Sequence, residues 1–168
     1  MKPGDLGAVE AQLGRTPRGT RAVGHRCPCG LPDVVVTEPR LPDGTPFPTT
    51  YYLTCPRATS LVGTLEGSGL MREMEARLRD DAELAAAYLA AHQAYLVARA
   101  ALGDAPEIDG ISAGGMPDRV KCLHVLAAHA LAAGPGVNPL GDEVLERLDA
   151  WWADGPCVEP GAGPDTDV

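Results

Sequence analysis

Three short segments concentrate the ligand chemistry of this chain: His25-Arg26-Cys27-Pro28-Cys29-Gly30, Leu53-Thr54-Cys55-Pro56 and Lys121-Cys122-Leu123-His124. Thiolates and imidazoles are the donors that soft and borderline metal ions select. Cys27, Cys29, Cys55 and Cys122 together are expected to form a four-thiolate site, with the Cys27-Pro28-Cys29-Gly30 turn fixing two donors at little cost in freedom. His25, His124 or His129 is an alternative fourth ligand. On a regular helix Cys122 and His124 point about 200° apart and Cys122 and His129 lie about 10 Å apart, so neither pair shares an ion if that helix is regular. His129 and His92 then read as core histidines. Zinc fits such a donor set, and an iron–sulfur cluster is the alternative. The spacing is not the paired CxxC of a zinc ribbon. The plainer reading is that Cys55 and Cys122 are buried small hydrophobes and Cys27 and Cys29 are unligated.

A second constellation runs from Ser112 to Lys121. Gly114-Gly115 precedes Pro117, a residue suited to the first turn of a helix, and Arg119 and Lys121 follow. Free N–H groups at a helix start bind anions, so Gly114, Gly115, Arg119 and Lys121 are expected to take a phosphorylated or otherwise anionic small molecule. Because Lys121 adjoins Cys122, a metal with an open position there would polarise an oxygen of that ligand, with His124 or His129 as acid or base. A site closed by four thiolates has no such position. No P-loop, HExxH, nucleophile elbow or dinucleotide fingerprint is present.

The elements that must carry these residues are legible in outline. Asp5 to Gly14 reads as a short helix with Asp5 as N-cap and Gly14 as stop. Strands are expected at Thr20–Arg26, Asp33–Glu38 and Thr49–Thr54, with a Pro-rich loop from Pro39 to Pro48. As an antiparallel meander they bring Cys27, Cys29 and Cys55 to one edge. Beyond Ala58 the periodicity is helical: Ser60–Glu66, Leu70–Arg79, a long helix capped by Asp80 or Asp81 and ending before Gly103, a helix from Pro117 to Gly134, and a last helix from about Gly141 to Trp152. In the long helix Leu84, Tyr88, Ala91, Tyr95, Ala98 and Leu102 make one apolar stripe. The fold class is therefore α+β, a small N-terminal three-stranded antiparallel sheet packed on a mainly helical, Ala-rich C-terminal part. One domain spans 1–153, β-rich over 15–57 and helical over 58–153. A disordered tail is expected over 154–168, which leaves Cys157 outside the site.

Composition narrows the partners. A net charge of −9 argues against broad nucleic-acid or anionic-membrane binding. Arg15, Arg18, Arg21 and Arg26 would make a local anion patch, or simply a solvated face. No apolar run reaches the roughly 20 residues of a membrane span, and no leader pattern opens the chain, so a cytoplasmic address is expected. Five cysteines in such a chain favour metal, reactive thiol or core roles over a disulfide framework. Ala-rich helices and the Trp151-Trp152 pair suit a homodimer or protein partner as well as a monomer core.

Several of these stretches, taken together, resemble the bacterial domain of unknown function 501 family. They are Arg26-Cys27-Pro28, Asp43 to Thr49 running into Tyr51-Tyr52-Leu53-Thr54-Cys55-Pro56, the turn from Leu65-Glu66 to Gly69, Ala91-His92 with Tyr95, and Arg119 to His124. The likeness covers about Val9 to Leu148 and implies no activity. It implies that Cys29 is not general among members, so that a family-wide site would hold three cysteines with a histidine or an open position. Three functions fit: a zinc-binding regulatory or binding module, a metal-assisted hydrolase or transferase on an anionic small molecule, or an iron–sulfur or thiol redox protein.

Overall fold

The computed structural model describes residues 1–159. Helix α1 (Asp5–Leu13) is followed by β1 (Thr20–Arg26), β2 (Pro32–Thr37) and β3 (Tyr51–Leu53). Then come α2 (Pro56–Gly67), α3 (Leu70–Asp80), α4 (Ala82–Ala100), a 3-10 turn at Pro106–Ile108, α5 (Leu123–Ala133) and α6 (Pro139–Glu146). The strands form the expected antiparallel meander in the order β1-β2-β3, with Val34 opposite Leu53 and Val36 opposite Tyr51. Its middle strand is apolar on successive residues because both faces are covered, by α1 on one side and α5 on the other. Val34 and Leu53 face the main core with Tyr88, Tyr95, Leu123, Leu126 and Leu140. The architecture is α+β, as the periodicities require.

Two close approaches set the helical layer. Gly24 leaves room for Ala132 of α5 against the sheet, since a Cβ there would meet Ala132 Cβ at 3.5 Å and Val34 Cγ1 at 3.2 Å. Gly141 lets α6 touch α5: a Cβ at this position would stand 2.2 Å from the Leu126 carbonyl oxygen. The long helix then anchors β3 from the other side. Tyr95 Oη accepts the Thr50 N–H at 2.6 Å and donates to Pro48 O at 3.2 Å, while the buried Arg99 guanidinium donates to Ile108 O (2.6 Å) and Ile111 O (2.5 Å). The apolar stripe of α4 is buried through Tyr88, Ala91 and Tyr95, and Asp81 caps the helix by accepting from the Glu83 and Leu84 amides, both at 3.0 Å.

Three expectations are corrected. Asp5 does not cap α1; Gly4 holds that position, because the Asp5 carboxylate is taken up by Arg26 in a bidentate pair (2.9 and 2.8 Å) that holds the acid below its ordinary pKa. Three of the four arginines of the expected patch or solvated face are paired, Arg18 with Asp43, Arg21 with Glu38 and Arg26 with Asp5. The fifth helix starts at Leu123, six residues later than Pro117 suggests. Residues 119–121 are held elsewhere, with the Arg119 and Lys121 amides donating to Gly115 O (2.9 Å) and Gly114 O (2.7 Å), the Val120 amide to Glu75 (3.0 Å), and Tyr88 Oη to Arg119 O (3.0 Å). Finally, α6 ends at Glu146, where the Arg147 and Leu148 amides bond three residues back and tighten the turn.

Beyond α6, Trp151 packs edge-on to Trp152 with centroids 4.6 Å apart. Residues 154–159 fold back on the body, through Arg57 donating to Gly155 O at 2.9 Å. The rest of the expected tail, 160–168, lies outside the described residues. Among the described residues no helix is long and apolar enough to cross a membrane.

Candidate metal centre

Helix α5 begins immediately after Cys122, which is its N-cap in an extended conformation (φ −155°, ψ 110°). The sulfur therefore does not follow the helical spiral, and the separation of about 200° that a regular helix would impose on Cys122 and His124 does not hold. Instead Cys122 and His124 come together across the first turn. The third partner comes from α2. Glu66 Oε1 accepts the Leu123 amide at 2.7 Å and lies 3.0 Å from His124 Nδ1. One donor atom from each of Glu66, Cys122 and His124 lies within 4.8 Å of the other two, and among the described residues this is the group of three that could hold an ion.

The imidazole is fixed at both ends. Its Nδ1 faces the Glu66 carboxylate and its Nε2 faces Thr59 O at 3.1 Å, oxygens that carry no hydrogen. Both ring nitrogens therefore donate, and the ring is an imidazolium. The Cys122 sulfur first, and Glu66 with it, push His124 up to about 9 from 6.5, against the opposing effect of burial.

Cys122 and His124 stand in the wall of a cavity of about 410 Å³, which Tyr51, Tyr52 and Leu53 of β3 and Thr59 of α2 complete. Edge strand β3 thus serves two purposes, closing the sheet and lining the chamber beside the ligand group.

The other candidate ligands lie elsewhere. Cys27 and Cys29 share the tight turn after β1, where burial first of all pushes the Cys27 thiol up to about 12. Cys55 is the N-cap of α2, beside Cys157, and burial first of all pushes its thiol up to about 11. Neither pair joins Cys122 within 4.8 Å. The meander does bring Cys27, Cys29 and Cys55 to one end of the sheet, but Cys122 groups with Glu66, near the other end of α2 from Cys55. His25 is occupied by the buried Asp33 (2.7 Å). His129 is buried, stacked on Tyr51 at 5.5 Å, and accepts from Asn138 Nδ2 at 3.2 Å through Nδ1. His92 bonds to Ser112 at 2.8 Å. At Gly114 and Gly115 the carbonyls, not the amides, are turned inward to Lys121 and Arg119, and the Arg119 side chain lies exposed 3.8 Å from Glu75. The helix start on which the anion site depended is absent there.

Glu66 is the residue that pattern reading missed as a ligand. It ends a helix of ordinary polarity, and only the packing of α2 on α5 gives it a role. A family model described as a protein of unknown function, DUF501, matches residues 23–146, which takes in Glu66, Cys122 and His124 but not Cys157. No curated protein and no solved structure matches the chain.

Proposed function

The chain belongs to the DUF501 family of proteins of unknown function, and from that premise we propose that it binds a divalent transition-metal ion, zinc, through Glu66, Cys122 Sγ and His124 Nδ1. The fourth coordination position opens on the cavity beside β3. The convergence of three donors of different type from α2 and α5 carries this reading. Its surroundings support it. A metal on Nδ1 leaves the Nε2–H donating to Thr59 O, the backbone partner that ligating histidines commonly have, and the Leu123 amide already orients Glu66. Tetrahedral zinc places ligand atoms roughly 3.5 Å apart, so Glu66 Oε1 and His124 Nδ1, 3.0 Å apart in their hydrogen bond, open by about half an ångström when the ion replaces the Nδ1 proton.

Three protein ligands and an open position are the arrangement of a working zinc rather than a purely structural one. In that arrangement the ion acts as a Lewis acid on an oxygen of a small molecule seated between Tyr51, Tyr52 and Thr59, and the protein is a metal-centred binding or hydrolytic module. Equilibrium titration with zinc, and with cobalt as an optical reporter, tests the reading. One ion per chain is expected, with thiolate-to-cobalt absorption. Cys122→Ser should remove the absorption and Glu66→Gln should weaken binding by about 10-fold or more. Binding that survives Cys122→Ser but is lost in Cys27→Ser would place the ion at the sheet end and overturn the assignment.

A further inference from the structure

Cys157 lies beyond the family-matched segment, yet it is not an idle residue. It packs against the same core cluster as Cys55, its neighbour in space although more than a hundred positions earlier in the chain. Three further contacts hold the strap that carries it. Arg57 donates to Gly155 O at 2.9 Å and to Pro156 O at 3.3 Å, and Gln12 Nε2 donates both to Cys157 Sγ at 3.3 Å and to Pro32 O at 2.7 Å. Both cysteines are free thiols; Cys55 is buried and Cys157 half-buried. The two cysteines are thus held side by side, with Arg57, two residues beyond Cys55, hydrogen-bonded to the backbone just before Cys157.

We propose that Cys55 and Cys157 form a reversible disulfide that pins residues 153–159 to the N-terminus of α2. The oxidant is a small disulfide, RSSR. The accessible Cys157, as thiolate, attacks one sulfur of RSSR and expels RS⁻, which takes up a proton; Cys55 then gives up its proton and attacks the Cys157 sulfur, expelling the second RS⁻. Two protein thiols are oxidised, one external disulfide is reduced to two RSH, and no further reagent is needed. Cys27 and Cys29 are the competing pair, but their turn is closed by Gly30 N–H to Cys27 O (2.8 Å) and Cys27 N–H to Leu31 O (2.9 Å), which oppose the rotation that a bond between neighbours in such a turn requires. Neither Cys55 nor Cys157 is a proposed metal ligand, so this inference stands apart from that reading.

The test uses the full chain incubated with glutathione disulfide, followed by alkylation of remaining thiols and peptide mapping. Loss of two thiols, a Cys55–Cys157 linked peptide and a melting midpoint raised by roughly 5–15 °C are expected. Cys157→Ser should abolish all three, Cys29→Ser should leave them intact, and a thiol reductant should reverse them. A Cys27–Cys29 bond with Cys55 and Cys157 still alkylated would overturn the proposal. So would glutathione retained on Cys157 as an unresolved mixed disulfide.

Discussion

Protonation of His129 should make this protein acid-sensitive over a window set by one ring. His129 is 1% exposed on α5, between the face of Tyr51 and the edge of Tyr95, whose centroids lie 5.5 and 5.1 Å away. Burial holds it down at about 4, from 6.5 in an unfolded chain. The lost hydrogen bond explains why the charged form is resisted locally as well: Nδ1 accepts from Asn138 Nδ2, and Asn138 cannot turn its oxygen toward the ring without releasing the Gly141 amide that it caps at 2.9 Å. Between the two pKa values the unfolded chain binds the proton and the native one does not. The contribution of His129 is therefore complete above about pH 6.5 and is lost as pH falls toward 4. The difference of about 2.5 units corresponds to about 3 kcal/mol at the bottom of the window. Urea unfolding at a series of pH values, followed by helical circular dichroism, measures it. His92 is shifted downward as well, first by burial and then by Arg99, and adds loss of the same sign, so the comparison with His129→Gln isolates the ring. The variant should lose about 2–3 kcal/mol less than the native chain between about pH 7.5 and 4.5. Equal pH slopes for the two proteins, or a ring titrating near 6.5 by NMR, would refute the argument.

The helix contacts give predictions of opposite sign for one chemical change. Gly141→Ala gains about 1 kcal/mol of helix propensity but drives a methyl into the Leu126 carbonyl and to 2.8 Å from Ala130 Cβ, an overpacking cost of about 3 kcal/mol, so thermal melting should fall. Gly63→Ala on α2 meets nothing within 4 Å and should raise stability by about 0.5–1 kcal/mol in the same assay; a fall would show that the α2 surface is covered. Asp81→Ala removes an N-cap that accepts two amides and should lower stability by about 1 kcal/mol in chemical denaturation, with Asp81→Asn restoring most of it.

Much of the scaffold is written locally in the chain. Val34-Val35-Val36, the Pro39–Pro48 break and Tyr51-Tyr52-Leu53 specify strand, loop and strand through steric preference and side-chain alternation, and the meander follows. Asp81 and Gly14 mark helix ends because their own conformations do so. The candidate centre is less legible. Cys122 and His124 stand out by type, but their convergence depends on where α5 begins, and that is decided by Glu75, Tyr88 and the two glycine carbonyls capturing residues 119–121. Pro117 signals a helix start locally and is overruled by these distant partners. Glu66 and Cys157 carry no local mark at all; one is brought in by the packing of α2 on α5, the other by a strap that Arg57 and Gln12 tie down.

Helix α2 carries Cys55 at one end and Glu66 near the other, eleven residues along. At 1.5 Å per residue the two are about 16 Å apart, roughly twice the screening length of physiological salt. Even for a buried Cys55 this distance leaves a charge gained or lost there worth only about 1 kcal/mol at Glu66 with an effective dielectric constant of about 20. A tilt or slide of the helix is not weakened by distance in this way, because a hydrogen-bonded rod moves as one body. The two ends of α2 are thus weakly coupled electrically and firmly joined mechanically, and a signal between them travels mainly as displacement.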